Sequence, residues 1–231
     1  MTKKMQFNTE TATEYDRGIR RTLPSYDAMF RIVHAHLRYA INSTSEVLII
    51  GAGGGTELAV LGPANKDWQF TAVDPSRPML ALAKEKVEQC ALSERVQFIE
   101  GTVNLVEAQR QFDAATCMLV LHFIEDDAVK LQQLKAIRKR LKKGAPFIIS
   151  AMYGDVESEE FERLFQLWKA YWADTTSLST EEIDEMSNTI RNLSFLPEEK
   201  ILYLLQTAGF GNITHFFKTN IFGGWICEAI D

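Results

Sequence analysis

Apolar residues follow two spacings along the chain, and these spacings predict alternating strands and helices. Short apolar or alternating segments typical of strands begin at Val47, Phe70, Arg95, Asp113 and Pro146. The segments between them carry apolar residues three or four positions apart, as in helices with one buried face. No internal repeat or low-complexity linker interrupts this order. The pattern predicts an α/β fold, a mostly parallel sheet with helices on both faces.

The alternation is broken in two places, and both breaks have a helical pattern. Residues 1–45 precede the first strand, and residues 155–196 follow the fifth. The second break contains two helical patterns, 161–172 and 180–193, of which the first is rich in aromatic residues. A further helix and a pair of strands end the chain. We interpret residues 1–231 as one domain with two helical additions.

The first strand runs into a cluster of glycines at Gly51, Gly53 and Gly55, and a helical pattern follows. Glycine permits positive φ and lets the backbone approach a ligand closely. The helix start adds unpaired N–H groups and a partial positive charge. We therefore expect the turn to favour an anionic group, with a ribose alongside. The dinucleotide fingerprint would place its third glycine at Thr56, so the spacing disfavours a nicotinamide oxidoreductase.

The second strand ends in a carboxylate, Asp74, about 20 residues after the glycines. An acid at this spacing suits ribose hydroxyls. Taken alone, the glycine turn is compatible with a plain strand–helix connection, and the acid with a helix cap. Together, and followed by further strand–helix units, they predict a nucleotide-type ligand.

At these residues the chain resembles the class I S-adenosylmethionine-dependent methyltransferases, and the resemblance runs from about Phe7 to the C-terminus. It implies a Rossmann-like sheet of seven strands with a reversed last strand. It also implies that residues 1–45 form a helical lid and that residues 155–196 cover the substrate, although a packed helical hairpin without that role fits the pattern too. The implied cofactor is S-adenosylmethionine, and the implied partner is a small-molecule methyl acceptor of unknown identity.

The same resemblance implies cofactor contacts at the ends of four strands. Two positions depart from the family pattern: Ile49 stands where many relatives carry an acid, and no acid follows Gly101 directly. The implied contacts are Gly51, Ala52, Gly53 and Gly55 beside the methionine part, Asp74, Pro75 and Met79 after the second strand, Gly101, Thr102 and Val103 after the third, and Leu119, Val120 and Leu121 as a floor after the fourth.

The N-terminal segment 15–26 is similar to that of the carboxy-S-adenosylmethionine synthases and their methyltransferase relatives. A hydroxyl on Tyr15 and a guanidinium on Arg20 would suit the cofactor's carboxylate. The alternative is that Tyr15 packs in the fold and that Arg20 lies on a solvated face.

The C-terminal segment 216–225 resembles the same synthases, but one feature departs from them. They carry an arginine for the extra carboxylate where this chain has Leu204. Unless Arg191 or Arg20 substitutes, the resemblance favours plain S-adenosylmethionine. A tRNA-modification enzyme of the synthase type and a non-catalytic cofactor-binding or interaction protein stay as alternatives.

Few side chains suggest other chemistry. His122 follows the fourth strand, where a neutral imidazole would act as a general base near pH 7, or it is an ordinary loop histidine. His34 and His36 are two positions apart and point to different sides of a helix, so we expect no metal site. The basic run 138–143 at the end of the helix predicted over 128–143 is either a solvated helix end or an RNA patch, and the helix dipole favours the first.

Composition bears on location and partners. The net charge of −6 argues against a broad nucleic-acid surface. Cys90, Cys117 and Cys227 lie far apart without a C-x-x-C pair, as expected for buried thiols in a reducing cytosol. The start lacks the apolar core of a signal peptide, and no run is long enough for a bilayer. We expect a cytoplasmic protein without membrane contact, and the aromatic pattern at 161–172 suggests a homodimer.

Overall fold

The computed structural model describes residues 18–230, and its centre is a single sheet. The strands lie in the order β3-β2-β1-β4-β5-β7-β6. Their bounds are β1 Glu46–Ile50, β2 Gln69–Asp74, β3 Val96–Glu100, β4 Ala114–Met118, β5 Pro146–Met152, β6 Phe210–Thr219 and β7 Phe222–Ala229. The helices are α1 Tyr26–Ala40, α2 Thr56–Leu61, α3 Arg77–Gln89, α4 Asp127–Arg138, α5 Glu159–Thr175, α6 Thr180–Arg191 and α7 Glu198–Thr207, after a helical turn at 18–22.

The sheet is mostly parallel, as the strand–helix alternation predicts. Strand β1 pairs in parallel with β2 and β4, and β4 pairs in parallel with β5. Strand β7 runs antiparallel to both β5 and β6. The predicted seven strands and reversed last strand are therefore confirmed. In such a sheet the carboxyl ends of the parallel strands meet at one edge, where ligands bind.

Helices cover both faces of the sheet, each over its own apolar core. Helices α1, α2, α3, α5 and α6 pack on the first face, with Phe30, Leu58 and Trp168 among the buried residues. Helices α4 and α7 pack on the second, with Ile137 and Leu205. Buried β1 and β4 contribute alternate residues to both cores, which explains why their sequences are apolar almost throughout.

The predicted helical insertion is present as α5 and α6, and its two ends meet. The N–H of Gly154 donates to the carbonyl of Leu196 at 2.9 Å. Helix α5 buries its aromatic stripe inside the chain, where Trp168 and Trp172 lie edge to face with ring centroids 4.5 Å apart. Because these rings are buried within one chain, they give no support to the expected homodimer.

Two predicted boundaries are wrong. The fourth strand, predicted over 113–121, ends at Met118 because Leu119 takes a positive φ of 60°. The helix predicted over 128–143 ends at Arg138, since the following residues pair with Phe112. Arg140 in this basic run is buried and donates to the carbonyl oxygens of Asn104, Val106 and Ala136, so it is not part of a solvated helix end.

Residues 18–230 contain no helix with the length and apolar character needed to cross a membrane. In the same range, no group of three or more metal-binding side chains comes together. The three cysteines are free thiols, and burial raises the pKa of Cys117 and Cys227.

Candidate active site

The glycine turn joins β1 to α2, and its three glycines all have positive φ. The structure corrects how two of them were expected to act. A Cβ on Gly51 would lie 2.1 Å from Val120 Cγ2, and one on Gly55 would lie 2.9 Å from the Cα of Ala83. These two glycines are needed because other parts of the chain pack against them, and only Gly53 has a looser environment.

The amides of the turn are mostly used within the fold, which corrects the expectation of a row of bare N–H groups. Gly51 and Ala52 donate to the carbonyl of Val73, at 2.8 and 3.1 Å, and Gly55 donates to that of Ala52 at 2.9 Å. Helix α2 has only six residues, so its dipole is weak. An anionic group is therefore less favoured here than the sequence suggested.

Asp74 ties the turn to the end of β2. Its Oδ2 accepts the N–H of Gly53 at 2.9 Å, and its Oδ1 accepts the N–H of Ser76 at 2.8 Å. The residue is 7% exposed, and burial raises the pKa of its carboxyl, although the two N–H donors lower it in part. Each oxygen keeps a second lone pair, so the carboxyl can still accept two hydroxyl hydrogens.

The other residues predicted after β2 and β3 differ in their surroundings. The N–H of Gly101 donates to the Asp74 carbonyl at 2.9 Å. Met79 is buried, and its Cε lies 3.2 Å from the position of a Cβ on Gly53. Thr102 is exposed and Val103 is buried in the second core. Pro75, next to Asp74, is exposed.

The three residues predicted as a floor after β4 pack in different directions. Leu119 is buried in the first core, and its N–H donates to both the carbonyl and the hydroxyl of Ser150, at 2.9 and 3.0 Å. Val120 packs against Gly51. Leu121 is buried in the second core together with Val103. The three do not form one continuous floor, because the chain bends at the positive φ of Leu119.

The predicted carboxylate clamp is only partly described, since Tyr15 lies outside the described residues. Arg20 is exposed, pairs with Asp27 at 3.3 Å, and places its guanidinium 5.1 Å from the ring centre of Tyr26. The Tyr26 hydroxyl lies 3.3 Å from Thr56 Oγ1, at the first residue of α2. Arg20 is thus brought near the glycine turn through Tyr26, for which the sequence predicted a place in the apolar stripe of α1 but no contact with the turn.

A cavity of about 160 Å³ lies beside Leu119, between the helical turn at 18–22, the ends of the strands and the insertion. Its lining is almost entirely apolar: Gly18, Ile19, Thr22, Leu119, His122, Phe123, Met152, Trp168, Trp172, Met186, Ile190, Leu193 and Phe222. The indole nitrogen of Trp172 is buried and has no hydrogen-bond partner in the described part of the chain. The lining of the cavity therefore suits an apolar guest.

His122 lines this cavity, but it is unsuited to be a general base. Its Nδ1 accepts the N–H of Met152 at 3.1 Å, so the proton of the neutral ring lies on Nε2. Burial, together with the nearby charge of Lys130, lowers the pKa of His122 to about 3. A ring with so low a pKa accepts a proton poorly at pH 7, and it can act there as a hydrogen-bond donor.

Glu57, the second residue of α2, is a buried acid close to the glycine turn that was not predicted from the sequence. It is 4% exposed, and its Oε1 accepts the hydroxyl of Thr116 on β4 at 2.5 Å. Burial, and to a smaller degree the nearby Asp74, raises the pKa of Glu57 to about 8, although the Thr116 bond lowers it in part. The signal available in the sequence was an acid directly after Thr56, in a short helix whose following residues are apolar.

Comparisons with known proteins agree with this arrangement. A family model described as a methyltransferase domain matches residues 48–147. The carboxy-S-adenosyl-L-methionine synthase of Campylobacter curvus is 25% identical over 94% of this chain and 91% of its own. The demethylmenaquinone methyltransferase of Lactiplantibacillus plantarum is 26% identical over 85% of this chain and 87% of its own.

Solved structures show the same fold at low identity. An S-adenosylmethionine-dependent methyltransferase from Clostridium acetobutylicum has a TM-score of 0.66 at 17% identity, covering 96% of this chain and 98% of that one. A Haemonchus contortus phosphoethanolamine N-methyltransferase, solved with S-adenosylhomocysteine, has a TM-score of 0.69 at 15% identity, covering 98% and 58%. The methyltransferase domain match over residues 48–147 and the full-length relatives support a class I S-adenosylmethionine-dependent methyltransferase, and these structures show the corresponding fold.

Proposed function

We propose that this methyltransferase acts on a small, mostly apolar molecule bound in the cavity beside Leu119. The cavity carries this proposal: it has about 160 Å³ and an apolar lining. An engineered apolar cavity of about 150 Å³ binds benzene, so the buried part of the acceptor should be about the size of one ring or a short branched chain.

Two hydrogen-bond donors at the cavity would orient the acceptor. Trp172 has a buried indole N–H without a partner in the described residues, and His122 has its ring proton on Nε2. An unmade buried hydrogen bond costs free energy, so a guest oxygen or nitrogen that accepts one is favoured. We infer an acceptor with an apolar frame and at least one carbonyl, hydroxyl or similar group.

The described residues fit the cofactor, and we propose the following positions. Asp74 accepts the ribose hydroxyls with its remaining lone pairs, and Gly101, Thr102 and Val103 border the adenine. Arg20 approaches the carboxylate through Tyr26, and Tyr15 stays a predicted second contact. S-adenosylmethionine supplies a methyl group on a positively charged sulfur. The chain's task is to align the acceptor with that methyl group and to exclude water.

The carboxylated cofactor is a second candidate, because relatives named carboxy-S-adenosyl-L-methionine synthases align over almost the whole chain. The three positions considered for binding the extra carboxylate do not favour the carboxylated cofactor. Leu204 is buried in the second core, Arg191 pairs with Glu162 at 2.6 Å, and Arg20 pairs with Asp27. Mass spectrometry of ligand that co-purifies with the protein distinguishes the two cofactors.

Location and assembly are also proposals. We propose that the enzyme works in the cytoplasm, which the free and largely buried thiols support. We propose that it does not bind nucleic acid: besides buried Arg140, Arg138 donates to backbone carbonyls and Lys142 pairs with Asp113 at 2.6 Å, so much of the basic run is engaged within the fold. A homodimer stays a prediction, tested by light scattering.

A cavity-filling substitution tests the acceptor proposal. Ile190→Trp places a large ring at the half-buried edge of the cavity, and Leu167→Trp places the same ring on the exposed side of α5. With radiolabelled S-adenosylmethionine and a panel of one-ring phenols, anilines and thiols, we expect turnover to be lost only in Ile190→Trp. Binding of S-adenosylhomocysteine should be unchanged in both. Unchanged turnover in Ile190→Trp, or methylation of highly polar acceptors only, would contradict the proposal.

A further inference from the structure

Glu57 is a buried acid without a cation to neutralise it among the described residues. Its one hydrogen bond there comes from the Thr116 hydroxyl, and the charged group that acts on it, Asp74, has the same sign. A buried carboxyl normally pairs with a cation or stays protonated. The other titratable group close to it is the Cys117 thiol, which Glu57 itself affects. Among residues 18–230, no cation is thus found at this carboxyl.

The carboxyl of Glu57 reaches the sheet next to Ile49, the position at which many relatives carry an acid. Ile49 is flanked in the sheet by Ala72 on β2 and by Thr116 on β4. Cross-strand partners in a parallel sheet present their side chains on the same face. Because Thr116 donates to Glu57, that carboxyl reaches the sheet beside Ile49, from helix α2 above it.

We propose that Glu57 takes over the role of an acid at Ile49 and binds the α-ammonium group of the cofactor's methionine part. The proposal rests on cofactor binding at the glycine turn. It makes the binding of the ammonium an ionising event: the Glu57 O–H bond breaks, the electron pair stays on the carboxylate, and the proton passes to solvent. The ammonium keeps its own proton.

The pKa of about 8 for Glu57 supports this coupling. In the free protein at pH 7 the side chain is mostly protonated, and an adjacent ammonium favours the ionised form. The linkage predicts that close to one proton is released per cofactor bound at pH 7, and that the release declines above pH 8. The Tyr26 hydroxyl on α1 is hydrogen-bonded to Thr56 Oγ1, at the first residue of α2.

Calorimetry with two probes tests the proposal without any turnover. S-adenosylhomocysteine carries the ammonium, and methylthioadenosine has the same nucleoside without it. Titrations at pH 7 in phosphate and in Tris, whose ionisation enthalpies differ, count the protons released. We expect release with S-adenosylhomocysteine and none with methylthioadenosine. In Glu57→Gln, which keeps the shape and the Thr116 partner, we expect no release and about a tenfold or greater loss of S-adenosylhomocysteine affinity.

The outcomes separate this proposal from the cofactor site itself. Equal proton release in wild type and Glu57→Gln, or an equal loss of affinity for both probes, would overturn the role of Glu57. If neither probe binds the wild-type protein, the placement of the cofactor at the turn is wrong instead. Should Glu57→Gln fail to fold, carboxyl ¹³C NMR of the wild-type protein at pH 7 replaces it: one glutamate must ionise on adding S-adenosylhomocysteine and stay protonated with methylthioadenosine.

Discussion

Gly51→Ala isolates the contact that joins the glycine turn to the segment after β4. The new Cβ would lie 2.1 Å from Val120 Cγ2, far inside van der Waals contact. Overpacking of this kind costs about 1–3 kcal/mol. The φ of +69° adds roughly 1 kcal/mol for a residue with a side chain. We therefore expect Gly51→Ala to lower the free energy of unfolding by about 2–4 kcal/mol.

The structure supplies a control for each of these two contributions. Gly144 has a φ of +77°, and a Cβ added to it would have nothing within 4 Å, so Gly144→Ala should cost roughly 1 kcal/mol from the backbone alone. In Val120→Ala both methyl groups are gone, and the nearest remaining Val120 atom is Cβ at 3.4 Å. In that background, Gly51→Ala should cost no more than Gly144→Ala does.

Denaturant unfolding of the wild type, the single variants and the Gly51→Ala/Val120→Ala pair completes the cycle. We expect a coupling free energy of about 1–3 kcal/mol between positions 51 and 120. A cost in Gly51→Ala no larger than that in Gly144→Ala would refute the contact. A cost that persists undiminished beside Val120→Ala would refute it as well.

Three further substitutions check the site and the fold. Asp74→Asn should weaken S-adenosylhomocysteine binding about tenfold in calorimetry, and unchanged affinity would remove Asp74 from the ribose role. The pKa of His122 is lower in the folded than in the unfolded protein, so on acidification the unfolded state takes up the proton first. The free energy of unfolding should therefore decrease as the pH is lowered below about 6.5, by up to about 1.4 kcal/mol per pH unit. His122→Asn, whose amide oxygen can still accept the Met152 N–H, should flatten this slope in denaturant unfolding at pH 4 to 7. Arg140→Met should cost about 2 kcal/mol by leaving buried carbonyls unpaired, whereas Lys139→Met, on the exposed side, should cost under about 0.5 kcal/mol.

The layers of the fold were predictable because they follow from local periodicity. Continuous apolar runs such as 47–50 occur in strands buried on both faces, and the three-to-four spacing of the helices gives one buried stripe. The insertion was also visible, since its helical patterns break the alternation. The ends of β4 and α4 could not be predicted, because contacts with residues distant in sequence determine where each element stops. Residues 139–142 leave the helix to pair with Phe112, and periodicity carries no information on that contact.

The site was predictable only where a backbone requirement fixes the residue type. The positive φ at Gly53 and the bond from its N–H to Asp74 explain why the spacing of glycines and acid could be interpreted. Glu57 and His122 could not be interpreted correctly, because their chemistry depends on burial. A glutamate in the first turn of a helix is usually solvated, whereas this one faces Thr116 under the helix. Sequence alone assigns both groups their ordinary pKa.

Leu119 is a strained residue that lies between the glycine turn and the apolar cavity. A leucine with a φ of 60° costs about 1 kcal/mol, and such residues persist where neighbouring contacts hold them. Here both the carbonyl and the hydroxyl of Ser150 hold its N–H. The chain bends at this residue, so that Leu119 lines the cavity and Val120 packs on Gly51; two adjacent residues thus contact the cavity and the glycine turn, between which we propose that the methyl group passes.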